Sequence, residues 1–225
     1  MKRIQNIEDI FSDPSLRVIG ICADPNQGKS NTIYHLIGLL KRQYPDTKMY
    51  SYGLRVQIDG VRDIHTIYEL ENINNSVIFI DEFYDMMNMG NRKQAERAEK
   101  SLRTIYHSNN IMVLCGLPRN FNKFVSGLLQ CVVFKQSTLE DFIQRSTIQQ
   151  CMMAYSGGFQ VQKGQYLLKM PKNVALVWMG GKHFDEVEIP YIPEMDTKAS
   201  NPDILVQKSD DLLVSRIEQM ITATD

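Results

Sequence analysis

Two rhythms of apolar and polar positions run along the chain. Residues 16–22 (LRVIGIC), 76–81 (SVIFID), 111–115 (IMVLC) and 131–134 (CVVF) are short, nearly unbroken apolar runs of strand length. Residues 47–52 (TKMYSY) read as a further strand. Residues 29–43 instead space Ile33, Leu36, Ile37 and Leu40 along one face of a helix. Residues 92–107, from Arg92 through Ala95, Ala98, Leu102 and Ile105, give a more polar helix, and residues 54–75 fit neither rhythm. Strands that are apolar on both faces and alternate with helices predict an α/β fold. Its central sheet is mostly parallel and flanked by helices on both sides.

Beyond residue 150 the pattern changes. YLLKM and NVALVWMGG predict a C-terminal β-hairpin joined by Pro171, Lys172 and Asn173. Residues 185–208, with Pro190, Pro193 and Pro202, predict an extended, irregular tail, and residues 209–222 a terminal amphipathic helix that Ser209 can cap. No internal repeat or low-complexity tract is present. The expectation is one domain over 1–225, with its core at about 14–150 and the hairpin and tail at about 151–225.

Composition narrows the class. The 225 residues are 43% hydrophobic and 23% charged, an ordinary globular profile. No apolar run approaches the roughly 20 residues that span a bilayer, and the first residues lack a secretory apolar stretch. The expected location is therefore the cytoplasm. The four cysteines, Cys22, Cys115, Cys131 and Cys151, form no C-x-x-C pair, and the four histidines are isolated, so no zinc site is legible. A net charge of −1 argues against coating nucleic acid by bulk charge, though one local basic patch can still bind it.

Candidate chemistry begins where the first strand meets the first helix. Residues 23–30 read A-D-P-N-Q-G-K-S, against the phosphate-loop pattern G-x-x-x-x-G-K-[ST], with Ala23 replacing the first glycine. In such a loop the backbone of Ala23, Asp24, Pro25, Asn26, Gln27, Gly28 and the first helical residues through Asn31 surrounds an anion, the N–H donors coming from the residues other than Pro25. Lys29 adds a charge for the β- and γ-phosphates, and Ser30 offers a hydroxyl to Mg²⁺. A chance G-K-S in a surface turn would not follow a strand and open a helix. The strand VIFID ends at Asp81 and Glu82, at the sheet edge where ligands bind in α/β folds. Asp81 is the candidate metal holder and Glu82 the candidate general base for water. An ordinary strand end could carry two acids, but the nearby phosphate loop favours the chemical reading. ATP with Mg²⁺ is the expected cofactor pair, because no guanine-reading N-K-x-D motif occurs.

The later segments are less specific. The helix after the acids carries Arg92, Lys93, Arg97, Lys100 and Arg103. Glu96 and Lys100 are spaced for an ion pair, which fits a solvated face. An arginine reaching a neighbouring subunit is the alternative, with Arg103 first and Arg119 second. A polar sensor is sought at either end of IMVLC, where Asn110 stands before and Arg119 and Asn120 stand after.

With these residues in view, the chain resembles the FtsK/HerA superfamily of P-loop ATPases. Within it, the chain is most similar to the genome-packaging ATPases of tailless icosahedral viruses with double jelly-roll capsids. The resemblance rests on ADPNQGKS after a strand, VIFIDEF, the helix ending TIYHSNN and the strand IMVLCGLPRN, together about half the chain. It implies a P-loop NTPase fold with the IMVLC strand between the phosphate-loop and acidic strands. It also implies an ATP-hydrolysing homo-oligomer, a hexameric ring, that moves double-stranded DNA into a capsid in the host cytoplasm and contacts capsid vertex proteins. The sequence departs from that family at Leu117, where a polar residue, commonly glutamine, is usual. A virion- or protein-assembly ATPase and a slow nucleotide-dependent switch are the alternatives.

Overall fold

The computed structural model describes residues 4–55, 57–84, 96, 100, 102–104, 107–121, 123–138, 160–162, 165–179 and 184–191. An eight-stranded sheet organises them. Its strands are β1 (Val18–Cys22), β2 (Lys48–Tyr52), β3 (Val61–Asp63), β4 (Ser76–Ile80), β5 (Ile111–Gly116), β6 (Cys131–Phe134), β10 (Val174–Met179) and β11 (Phe184–Glu188). The order across the sheet is β11-β10-β6-β1-β5-β4-β2-β3. The six strands from β6 to β3 are mutually parallel, while β10 runs antiparallel to both β6 and β11. As expected, β5 lies between the phosphate-loop strand and the acidic strand.

The unbroken apolar runs are explained by burial on both faces. Ile19 and Ile21 of β1, Val77 and Phe79 of β4, Val113 and Cys115 of β5 and Val133 of β6 join one core. The helix α1 (Lys29–Gln43) fills that core with Ile33, Leu36, Ile37 and Leu40. Ile7 and Ile10, from a 3-10 turn over Ile7–Ser12, close its far side. The alternate residues Val18, Ile78, Ile80, Met112, Leu114, Val132 and Phe134 join a second core. There they meet Leu70, Phe83, Leu102, Phe121 and Val125. Every second side chain thus enters a different core, so neither face can be polar.

Three expectations need correction or restriction. YLLKM does not pair with NVALVWMGG. Its residues belong to β9 (Gln165–Leu168), which pairs with β8 (Gln160–Gln162) and β7 (Ser137–Thr138) in a separate three-stranded sheet. Strand β10 forms its hairpin with β11 instead, and docks on β6 through pairs such as Val177↔Val133. Ala175, Leu176 and Val177 are buried, a demand that only a place inside the main sheet meets. The turn at Pro171, where Val174 N–H donates to the Pro171 carbonyl, carries the chain from one sheet to the other. Residues 185–188, the start of the tail expected to be irregular, lie in strand β11, whose exposed Glu186 and Glu188 suit a sheet edge. The polar helix is described only in part, with 96, 100, 102–104 and 107–108 helical, and the terminal helix at 209–222 lies outside the described residues.

Candidate functional site

Parallel pairing brings the C-terminal ends of β1, β4, β5 and β6 to one edge. Cys22 is level with Gly116 and with Phe134, and Ile80 with Leu114. The stem of the 23–30 loop extends the ladder to both sides. Ala23 N–H donates to the Gly116 carbonyl at 3.4 Å, and Asp24 N–H to the Gln136 carbonyl at 3.0 Å. Two residues of the loop are left-handed, Asn26 (φ 59°) and Gly28 (φ 82°). Asparagine tolerates this conformation locally and glycine adopts it without a Cβ clash. From Gly28 the chain enters α1, whose first turn is secured by Thr32, with Oγ1 donating to the Gly28 carbonyl at 3.0 Å.

The side chains singled out from sequence converge here. Ser30 Oγ donates to Asp81 Oδ2 at 2.8 Å. Asp81 must reach across the end of β5 to do so, and Cys115 and Gly116 are small enough to let it. Lys29 is nearly buried, and its Nζ donates to the Asp24 carbonyl at 3.1 Å and the Ala23 carbonyl at 3.5 Å. The same ammonium lies 3.9 Å from Glu82 Oε1, whose side chain is 45% exposed. Glu82 can therefore meet solvent water while Lys29 and Asp81 stay within the protein.

The acidic pair is held by its backbone. Asp81 N–H donates to the Tyr52 carbonyl at 2.9 Å, and Glu82 N–H to Asp81 Oδ1 at 3.1 Å. Gly53 (φ 75°) passes so close that a Cβ there would lie 2.9 Å from the Asp81 carbonyl oxygen. Glu82 itself has φ 50°, a left-handed conformation that is uncommon for a side-chain-bearing residue. Phe83 anchors the next position against Phe121, with ring centroids 4.9 Å apart. It lies over Gly116, where a Cβ would stand 2.8 Å from Phe83 Cε1.

Two titratable groups respond to this environment. Burial first, and then the charge of Asp81, keeps the Cys115 thiol protonated well above its ordinary range, and the thiol hydrogen-bonds Asp81. His35 on α1 is pushed down to about 4, chiefly by burial and then by the charges of Arg42 and Lys135. It is neutral at pH 7.

A magnesium nucleotide fits this donor set. The anion cradle, an ammonium, a hydroxyl and carboxylate in mutual contact, and an accessible second carboxylate are the groups it needs. Among the described residues no group of three or more His, Cys, Asp or Glu could hold a metal by itself, so phosphate oxygens and water would have to complete its shell.

Other candidates fall elsewhere. Asn110 is buried at the opposite edge, with Nδ2 donating to the Ile73 carbonyl at 2.7 Å and Oδ1 accepting from Ser76 N–H at 3.1 Å. That end of the strand is structural, and the sensor reading of Asn110 is dropped. Asn120 lies at the site edge, its Cβ 3.6 Å from the point a Gly116 Cβ would occupy. Arg119 is in the 3-10 turn Pro118–Asn120, and Arg103 is exposed on the partly described helix. Arg92, Lys93 and Arg97 lie outside the described residues. Sequence reading missed Lys135, Lys172 and Tyr191, which pack against Gly28, because no motif marks them. The sequence shows a lysine directly after an apolar strand, and its burial is visible in the structure alone.

No protein-family model and no curated protein sequence matches this chain. Solved structures do resemble it. The DNA-packaging ATPase B204 of Sulfolobus turreted icosahedral virus superimposes with a TM-score of 0.54 at 11% identity, over 78% of this chain and 98% of that one. The genome-packaging NTPase B204 of Sulfolobus turreted icosahedral virus 2, solved with ATP-γS, gives 0.51 at 10% identity, over 79% and 100%. The cytoplasmic domain of the type VII secretion ATPase EccC of Thermomonospora curvata gives 0.51 at 9% identity, over 80% of this chain and 24% of that one. Among the described residues no helix is long and apolar enough to cross a membrane. The chain has the P-loop ATPase fold of these viral packaging and secretion enzymes, as its resemblance to the FtsK/HerA superfamily implied.

Proposed function

We propose that the chain is a Mg²⁺-dependent ATPase that works as a homomeric ring, expected to be hexameric, and translocates double-stranded DNA into a viral capsid. The observation that carries the enzymatic part is the contact of Ser30 with Asp81 across β5, with Lys29 and Glu82 beside it. Ser30 and Asp81 would hold Mg²⁺, which supplies charge neutralisation on the phosphates. Lys29 binds the β- and γ-phosphates, and Glu82 orients and deprotonates the attacking water. An arginine, the exposed Arg103 before Arg119, supplies the trans cation of a neighbouring active site. The fold shared with a DNA-packaging ATPase supports DNA as the substrate. Binding would be independent of sequence and made through a local basic patch, since net charge is near zero.

The test is the rate of ATP hydrolysis with and without double-stranded DNA, on protein whose oligomeric state is measured in solution. DNA-stimulated turnover that Lys29→Ala abolishes supports the whole reading. The likeness to a secretion ATPase favours a second reading, an assembly or protein-moving ATPase. In that case hydrolysis persists and DNA leaves it unchanged. Failure to bind nucleotide at all overturns both.

A further inference from the structure

Three segments without a motif converge on the outer side of Gly28, away from Asp81 and Glu82. Lys135 follows β6, Lys172 lies in the turn before β10, and Tyr191 comes just after β11. Since β10 runs antiparallel to β6 and to β11, all three arrive at the edge that carries the phosphate loop. Measured from the point where a Gly28 Cβ would stand, Lys135 Cε is at 3.4 Å, the Lys172 carbonyl oxygen at 3.5 Å and Tyr191 Cδ2 at 3.6 Å. Lys135 is buried, and its ammonium donates to the Lys172 carbonyl. The Lys172 ammonium in turn donates to the Tyr191 hydroxyl at 2.8 Å and lies 5.0 Å from the centre of its ring.

We infer that Tyr191, with Lys172 behind it, is the wall that receives the nucleoside half of the nucleotide, and that Lys135 holds this wall to the phosphate loop. The inference rests on the reading of residues 23–30 as a nucleotide site. Direction carries it. Glu82 and Asp81 mark the γ-phosphate end on the β4–β5 side, so the nucleoside end leaves toward β6, where Tyr191 stands. A tyrosine offers a π-face to any base, and an ammonium near the ring restrains its orientation. A buried lysine is costly unless it is hydrogen-bonded, and here its bond joins two chain segments beside the loop. Stacking does not read a base edge, so the wall favours purines by contact area and accepts ATP and GTP alike.

The experiment uses the full chain and calorimetry with Mg²⁺ and three ligands: ATP, GTP and inorganic tripolyphosphate. Tyr191→Ala is expected to weaken ATP and GTP about tenfold and leave tripolyphosphate unchanged. Tyr191→Phe keeps the ring but loses the hydrogen bond from Lys172, and is expected to weaken ATP less than Tyr191→Ala does. Unchanged ATP affinity in Tyr191→Ala overturns the inference. So does equal weakening of ATP and tripolyphosphate, which would make the ring a support of the loop's shape. If Tyr191→Ala does not fold, Tyr191→Leu fills the space without an aromatic face and takes its place. Lys29→Ala separates the two claims, because it should weaken all three ligands. If it weakens none, the phosphate site itself falls, and the wall with it.

Discussion

The two sides of Gly28 are built on different principles. On the inner side, Lys29, Ser30, Asp81 and Glu82 come from two short runs whose residue types are those the proposed magnesium nucleotide would require. A metal needs oxygen ligands, a phosphate needs a cation, and few substitutes exist. On the outer side, Lys135, Lys172 and Tyr191 come from three separate segments and meet through a carbonyl, a hydroxyl and a ring face. Many residue combinations would build such a wall. The inner side therefore leaves a motif in the sequence and the outer side does not.

This contrast can be broken by experiment. The largest effect belongs to the inner side. Glu82→Gln keeps size and shape but removes the base, so hydrolysis is expected to fall by about 10²-fold or more while ATP binds normally. Single-turnover rates alongside calorimetry check this, and an unchanged rate would move water activation to another group. Lys29→Ala removes a charged hydrogen-bond donor worth roughly 1.5–3 kcal/mol, so ATP affinity is expected to drop tenfold or more. Equal affinity of variant and unaltered protein would erase the distinction between the two sides.

A smaller effect tests how the acids are held. Gly53→Ala puts a methyl group against the Asp81 carbonyl at a left-handed position. It is expected to cost about 1–3 kcal/mol of stability, read by denaturant unfolding. Loss of hydrolysis beyond that loss of folded protein would show that Gly53 also positions Asp81. A further effect concerns pH. The ordinary His35 value of 6.5 falls to about 4 in the folded chain. The unfolded chain then binds the extra proton first, so stability is full above about 6.5 and declines as pH falls toward about 4. Melting temperatures of His35→Gln should decline less steeply across that window, and parallel curves would remove His35 from the acid response.

Legibility follows from the same physics. Strands β1, β4, β5 and β6 were readable because burial on both faces demands unbroken apolar runs, and α1 because its core-facing residues keep helical spacing. Strand β3, three residues of mixed character beside β2, carries too short a pattern to stand out. The hairpin failed for another reason. YLLKM and VALVWM are both strand-like, and only the buried place beside β6 decides that the second pairs with FDEVE. The residues that the phosphate-loop and acidic-strand patterns single out, Lys29, Ser30, Asp81 and Glu82, do converge in the structure. Lys135 was not legible, because a lysine after CVVF looks like an ordinary strand end until its burial is seen.

The left-handed backbone at Glu82 has a consequence for anyone who evolves this protein in the laboratory. Glycine and asparagine adopt that conformation more comfortably than glutamate does. Selection on heat resistance alone would therefore favour Glu82→Gly or Glu82→Asn, whereas selection on turnover would retain the glutamate. The two screens would pull one position in opposite directions, and the residue that survives in each library would report which property had been selected.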